Sequence, residues 1–184
     1  KPFFTEENFS YRIDAPRQQV NHHLFKSHSK YFLTDDQWLT LTFAGQYNNR
    51  KEFDVRRSGR SDLPALSLQQ FTYFGELKYS LDLQDQINFR TGVQVNTIDN
   101  SNNPETGILP LIPDYLAYEA GFFALVNKKF SRSLVELGLR YDLISQDVPT
   151  ISNSIPREIV RYNNFFQNLI YKFNFCYLIS NYRF

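Results

Sequence analysis

The sequence of 184 residues is poor in the features that mark several common classes of protein. Its single cysteine, Cys176, excludes an internal disulfide and a multi-cysteine metal site. No run of about 18 apolar residues is present, which excludes a transmembrane helix, and the first ten residues contain no signal-peptide core. The formal net charge is only +1, so nucleic acid is not an expected partner. Methionine is absent even at position 1, which indicates a mature or excised portion of a longer product.

Aromatic residues, in contrast, are abundant. The chain has 18 Phe, 12 Tyr and one Trp, together 17% of residues, while 21% of residues are charged. A chain rich in both aromatic and charged residues suits alternating strands that are apolar on one face and polar on the other.

Four segments show this alternation with the period of a β-strand. Their apolar positions are Leu39, Leu41, Phe43, Tyr47, Phe71, Tyr73, Leu77, Tyr79, Ile87, Phe89, Val93, Val95, Val135, Leu137, Leu139, Tyr141 and Leu143. The opposite faces carry charges of both signs: Glu76, Lys78, Arg90, Glu136, Arg140 and Asp142. Less regular alternation predicts further strands in 20–33, 115–126 and 163–175.

The predicted connections alternate in length. Residues 34–37, 82–85 and 127–133 are short polar turns, whereas 50–66, 97–115 and 144–164 are long and rich in Pro, Asn and charge. In an antiparallel meander all the short turns then lie at one end. This asymmetry is typical of an outer-membrane β-barrel, with short periplasmic turns and long extracellular loops. Aromatic residues predicted near strand ends fit the girdles of such a barrel: Tyr31, Phe32, Trp38, Tyr47, Tyr79 and Tyr141. A soluble sandwich produces the same alternation and stays open as an alternative.

Three segments, in order, carry a family resemblance. "RRSGRSDLPALSL", "LIPDY" and "LGLRYD" (Leu137 to Asp142) resemble barrel elements of TonB-dependent outer-membrane receptors, particularly those of Bacteroidetes-type bacteria. The resemblance extends over Val20 to Tyr162. It implies a barrel of about 22 strands closed by a plug domain, which takes up a scarce nutrient such as a ferric chelate with energy relayed by the TonB machinery.

The sequence departs from that pattern in extent. About seven to eight strands are readable, and neither a plug domain nor a TonB box is visible. We therefore expect residues 1–184 to form a single segment of an antiparallel transmembrane β-barrel, from the central part of such a receptor. Its localisation would be the bacterial outer membrane, with outer-membrane lipid as a partner and, by resemblance, the plug and the TonB machinery.

Two groups of side chains are candidate sites. Arg50, Lys51, Arg56, Arg57 and Arg60, in the first long loop, would contact an anionic ligand. The alternatives are a solvated extracellular loop, a loop whose charges pair internally, and a loop that binds anionic lipopolysaccharide. The six charges on the strands would face the lumen, as a salt-bridged polar interior or a guide for ligand. Lys78 is expected to pair with Glu136 or Asp142.

No catalytic or metal site is expected. His22 and His28 share a strand face but lie about 20 Å apart, too far to bind one metal, and His23 points to the other face. "NSNNPETG" lacks the acidic spacing of a calcium loop, and no GxSxG motif is present. We expect a transporter without a cofactor and without enzymatic activity. The alternatives are a self-contained outer-membrane barrel of about eight strands, structural or a lipase-type enzyme, and a soluble ligand-binding barrel.

Overall fold

The described part of the chain is a single antiparallel sheet. The computed structural model describes residues 16–55, 62–106, 112–152 and 155–177. Seven strands follow one another in sequence order across the sheet. They are β1 (Arg17–Thr34), β2 (Gln37–Phe53), β3 (Leu66–Leu83), β4 (Ile87–Asn102), β5 (Tyr115–Lys129), β6 (Ser133–Ile151) and β7 (Ile159–Tyr177). Two short 3₁₀ helices, Gln84–Gln86 and Pro104–Thr106, lie in connections. The predicted all-β antiparallel fold is confirmed, and the sheet is open, with β1 and β7 as its edges.

Helices contribute little to this architecture. In the described residues, no helix is long and apolar enough to span a membrane.

The strands are longer, and the long loops shorter, than the sequence predicts. The strands have 15 to 19 residues, and β2 continues to Phe53, so Arg50 and Lys51 lie in a strand and not in a loop. Similarly, β6 continues to Ile151, which leaves only a short connection to Ile159. The polar residues at these ends pair by backbone hydrogen bonds, which need no apolar alternation. The placement of all short turns at one end of the sheet is correct, because each follows an odd-numbered strand of the meander.

The register sorts the side chains into two faces. Glu76 is opposite Gln94, which is opposite Gly121 and then Asp142, so these positions share one face, here called the polar face. Neighbouring residues in each strand point the other way. Leu77, Val93, Phe122 and Tyr141 are likewise paired, and their side is called the apolar face.

Burial in this sheet is the reverse of that in a water-soluble sandwich. In the described residues the only buried hydrophobic side chains are Phe53 and Ala117, whereas Thr40, Thr42 and Ser80 on the polar face are buried. On the apolar face, Leu41 and Leu139 are both 54% exposed. A soluble sandwich would bury its apolar face against a second sheet, and the described residues contain no second sheet.

The apolar face has an uncharged middle bounded by charges. On the turn side of this zone the face carries Lys128, and on the loop side it carries Arg17, Lys51, Asp99, Asp147 and Arg161. Between these limits each strand presents six to nine uncharged residues on this face, at alternate positions. At the usual strand tilt this length is enough for the apolar band about 25 Å tall of an outer-membrane barrel. This zone is called the apolar band below.

Two hydroxyl groups within the apolar band have hydrogen-bond partners. The Tyr141 hydroxyl donates to Oε1 of Gln167 at 2.8 Å, and the Thr91 hydroxyl donates to the Phe123 carbonyl at 2.8 Å. Each pair satisfies a group that would be costly to expose to hydrocarbon. At these two positions the sheet itself satisfies polar groups that lie among apolar side chains.

Two aromatic residues assigned to a girdle lie on the wrong face for it. Phe32 and Trp38 pair with each other and continue the row that contains Ser80 and Arg90, which is on the polar face. There the Lys30 ammonium lies over both rings, 4.5 Å from the centroid of Phe32 and 4.1 Å from that of Trp38. The strand register puts both rings on this face, where the cation–π contact with Lys30 stabilises them. An assignment by distance from strand ends takes no account of the face. Tyr47 and Tyr141 are not near strand ends as predicted, because β2 continues to Phe53 and β6 to Ile151.

Candidate functional site

The six predicted strand charges all lie on the polar face. Their alternation in β3, β4 and β6 puts Glu76, Lys78, Arg90, Glu136, Arg140 and Asp142 on that face together, in register across the sheet. The geometry therefore brings the whole group together on one surface. That this surface faces the lumen of a barrel stays a prediction.

Ion pairs on this face differ from those expected. Lys78 is paired with neither Glu136 nor Asp142; its ammonium lies 3.9 Å from Glu76, two residues away on the same strand. Asp142 is 2.7 Å from Nη2 of Arg140. The expectation for Lys78 was wrong because β3 and β6 are separated by two strands, too far for a lysine to reach.

Lys172 of β7 is the residue that sequence reasoning missed. Its ammonium lies 2.5 Å from Oε1 of Glu136, on the neighbouring strand. The pair is partly hydrated, because the Lys172 side chain is 61% exposed and that of Glu136 is 18% exposed. The signal was present in the sequence: Lys172 alternates with Tyr171 and Phe173, which lie on the apolar face.

Gly121 makes room for the ion pair between Arg140 and Asp142. Arg140 Nε donates to both carboxylate oxygens of Asp142, at 2.8 and 3.0 Å. The pair lies across Gly121, where an ideal Cβ would be 2.5 Å from Nη2 of Arg140 and 2.6 Å from Oδ1 of Asp142. Any side chain at position 121 would force the pair to move.

A shallow depression of about 410 Å³ lies between these charges. Four cationic side chains line it but only one carboxylate, that of Glu76. Phe123, Leu125 and Ile170 provide an apolar floor. A second depression, of about 460 Å³, lies toward the long-loop end and has a more polar lining, with Gln94, Asn96 and Glu119. In it Asn96 Nδ2 donates to Oε2 of Glu119 at 3.1 Å.

The basic residues of the first long connection are divided by the structure. Arg56, Arg57 and Arg60 lie outside the described residues. Arg50 and Lys51 are consecutive in β2 and therefore point to opposite faces. The Arg50 guanidinium is paired with the Glu52 carboxylate, so part of the predicted cluster is neutralised locally. A ligand contact by these five residues stays a prediction.

The second long connection is fastened to the strand ends. Oδ1 of Asp114 accepts hydrogen bonds from the backbone amide of Asn102 at 2.7 Å and from its side-chain amide at 2.8 Å. The side chain of Asn100, which is 2% exposed, donates to the Pro113 carbonyl at 3.1 Å. Asn100 and Asn102 are on the polar face, so residues 112–114, which end the connection, lie against that side of the sheet.

The histidines do not form a metal site. His28 Nδ1 lies 3.0 Å from the hydroxyl of Thr42, and the ring of His23 stacks on Tyr47 at a centroid distance of 6.1 Å. Within the described ranges, no three His, Cys, Asp or Glu side chains are grouped closely enough to bind a metal ion.

Comparison with known proteins supports the fold. No protein-family model matches the chain, and no curated protein matches its sequence. Among solved structures, the chain is similar to the crystal structure of the ferric yersiniabactin uptake receptor from Yersinia pestis, with a TM-score of 0.56 and 13% identity. The similarity covers 89% of this chain but only 26% of the receptor chain. The seven-stranded sheet therefore has the fold of about a quarter of that receptor.

Proposed function

We propose that the chain is a wall segment of a TonB-dependent receptor in a bacterial outer membrane. In this arrangement the apolar face contacts lipid, the polar face lines the lumen, and β1 and β7 pair with further strands of a larger barrel. The observation that carries the proposal is the reversed burial of the sheet, with exposed Leu41 and Leu139 and buried Thr40, Thr42 and Ser80.

The open edges give a second line of support. β1 and β7 are long strands of 18 and 19 residues, each with one edge unpaired in the described sheet. Unpaired backbone amides and carbonyls cannot stay exposed to hydrocarbon, because each costs several kcal/mol. In a membrane both edges must therefore pair, and the likeness to a quarter of an uptake receptor favours pairing with further strands over pairing of β1 with β7.

The proposed role is uptake and not catalysis. The solved structure to which the chain is similar is that of a ferric yersiniabactin uptake receptor. The resemblance of "LGLRYD" and "LIPDY" to TonB-dependent receptors agrees with transport of a scarce nutrient. The plug domain and the TonB machinery are the partners that this role requires. The basic residues Arg50, Lys51, Arg56, Arg57 and Arg60 are proposed to approach an anionic ligand from the loop end.

Extraction and gel migration test the membrane assignment. We expect the protein to stay with the membrane fraction in urea, to be released by detergent, and to migrate differently on a gel before and after boiling. A protein that is monodisperse in plain buffer and unfolds cooperatively there would contradict the proposal.

A further inference from the structure

The depression at the short-turn end of the polar face has an excess of positive charge. Its lining contains Lys78, Arg90, Arg140 and Lys172 but only one carboxylate, Glu76. Two of the four cations have carboxylate partners on the same face, because Arg140 pairs with Asp142 and Lys172 with Glu136. With Glu76 included, four cations face three carboxylates, and one positive charge is in excess.

Arg90 is the cation without a counter-ion. It has neither a hydrogen-bond nor an ion-pair partner among the residues that the structure describes. Its neighbour Lys78 is held only weakly, because its ammonium lies 3.9 Å from Glu76, at the limit of an ion pair. Among the described residues, one of the four cations is thus unpaired and a second is only loosely paired.

Arg90 and Lys78 are close enough to act on one anion. Arg90 is opposite Ser80, and Lys78 is opposite Gly92, so the two cations are diagonal neighbours on β3 and β4. Diagonal positions on one face of an antiparallel pair are about 7–8 Å apart, within reach of long side chains. Gly92, which is opposite Lys78, has no side chain. The ring of Phe123 packs over this glycine, 2.8 Å from the position of an ideal Cβ.

The floor beside these cations is apolar. Phe123, Leu125 and Ile170 lie on the polar face, in the same rows as the charges, and line the depression. A guanidinium binds planar oxyanions by paired hydrogen bonds, and an adjacent aromatic ring favours an apolar body. A volume of about 410 Å³ is within the usual range for a small-molecule site, about 300–1,000 Å³.

We propose that Arg90 and Lys78 form a binding site for an amphipathic organic anion, whose oxyanion group contacts the two cations and whose apolar part rests on Phe123 and Leu125. The site is near the turn after β3, at the opposite end of the sheet from Arg50. It is therefore separate from the contact proposed for the loop arginines. The inference rests on the proposed function in one respect: a barrel interior keeps lipid away from this face.

Chemical protection of Arg90 tests the site. The detergent-solubilised protein is treated with phenylglyoxal, which modifies accessible arginines, and the rate at each arginine is measured by peptide mass spectrometry. Phenylphosphonate should slow modification of Arg90 about tenfold at saturation, since the pair of charge-assisted hydrogen bonds blocks the reagent. Inorganic phosphate at the same concentration should protect much less, because it cannot use the apolar floor. Arg161, whose side chain is 71% exposed, is the internal control and should be modified at an unchanged rate.

Two substitutions that should change the affinity for phenylphosphonate in opposite directions separate an effect on binding from structural damage. Lys78→Gln should raise the concentration of phenylphosphonate needed to protect Arg90 by about tenfold. Glu76→Gln, which releases Lys78, should lower it. Lys26→Gln, on the polar face of β1, is the matched control and should leave the protection unchanged.

Three results would overturn the site: no protection of Arg90, equal protection by inorganic phosphate, or equal protection of Arg161. The same samples are run unboiled and boiled on a gel. Loss of protection with normal heat-modifiable migration would reject the anion site and leave the barrel assignment standing, whereas loss of that migration in the unmodified protein would reject the barrel assignment.

Discussion

The two faces of the sheet are made by the same strands but have opposite chemistry. Leu77 is adjacent to Glu76 in β3, and Leu139 is adjacent to Arg140 in β6. Both leucines lie in the uncharged apolar band, whereas both charged residues form ion pairs on the polar face. Backbone pairing is the same on both sides. The difference teaches that the surroundings of each face, and not the strand pairing, select its side chains.

The faces also differ in how their polar groups are satisfied. On the apolar face each hydrogen bond joins close neighbours, as Tyr141 joins Gln167. On the polar face, ion pairs run along or across strands, and Lys172 and Glu136 keep contact with solvent. Such hydrated ion pairs contribute little to the free energy of folding.

A charged residue introduced into the apolar band should cause the largest loss of folding free energy. Leu139→Arg puts a cation at a position that is 54% exposed and far from both charged limits. Arginine near the bilayer midplane costs about 2–4 kcal/mol, so folding into phospholipid vesicles, followed by denaturant titration, should show a loss of that size. Gln94→Arg on the polar face is the control and should change the folding free energy by less than about 0.5 kcal/mol. An equal loss of folding free energy at the two positions would contradict the difference described between the two faces.

Glycines on the two faces should tolerate a methyl group differently. At Gly92, on the polar face, an ideal Cβ would lie 2.5 Å from the Leu77 carbonyl oxygen, which is backbone and cannot rotate away. Gly92→Ala should therefore reduce the free energy of unfolding by about 1–3 kcal/mol. At Gly45, on the apolar face, the nearest atom is 3.6 Å away on the ring of Tyr73, so Gly45→Ala should be close to neutral. The two variants are compared by the same vesicle titration, and a larger loss at Gly45 would contradict the packing described here.

The fastening of the second long connection should have a local effect. Asp114→Ala removes two hydrogen bonds to Asn102, which should lower hydrogen-exchange protection of the Asn102 amide about fivefold, the equivalent of about 1 kcal/mol. Asp114→Asn retains an acceptor oxygen and should have a smaller effect. Amides in the middle of β4 should not change, and a loss of protection along the whole strand would show that the connection stabilises more than the loop end of the polar face.

The ion pair between Glu136 and Lys172 should contribute the least to the folding free energy. A double-mutant cycle with Glu136→Gln and Lys172→Gln should give a coupling of about 0.2–1 kcal/mol, because Lys172 is largely hydrated. The coupling should fall further in high salt. A coupling of several kcal/mol would indicate that the polar face is dry, and would remove the distinction drawn between the faces.

Alternation was sufficient to predict the sheet and its faces. Leu137, Leu139 and Tyr141 alternate with Glu136, Arg140 and Asp142, and a period of two indicates a β-strand with two chemically different faces. Strand ends were not predictable, because Asn48 to Phe53 pair with β3 and β1 by backbone groups that any residue provides. The partners of Lys78 and Glu136 were beyond prediction for a different reason: they depend on which strands are neighbours and on side-chain rotamers. The ligand-contact prediction for the loop basic residues depends largely on Arg56, Arg57 and Arg60, outside the described residues.

Accessibility along β6 tests the central claim most directly. Spin labels are attached one at a time to cysteines introduced at positions 135 to 145, in a Cys176→Ser background, and the protein is incorporated into phospholipid vesicles. Odd-numbered positions should be relaxed by oxygen, which concentrates in hydrocarbon, and even-numbered positions by a water-soluble nickel chelate, in a strict period of two. Relaxation by the nickel chelate at every position, with no contribution from oxygen at Leu137, Leu139 or Tyr141, would contradict a sheet whose apolar face contacts lipid.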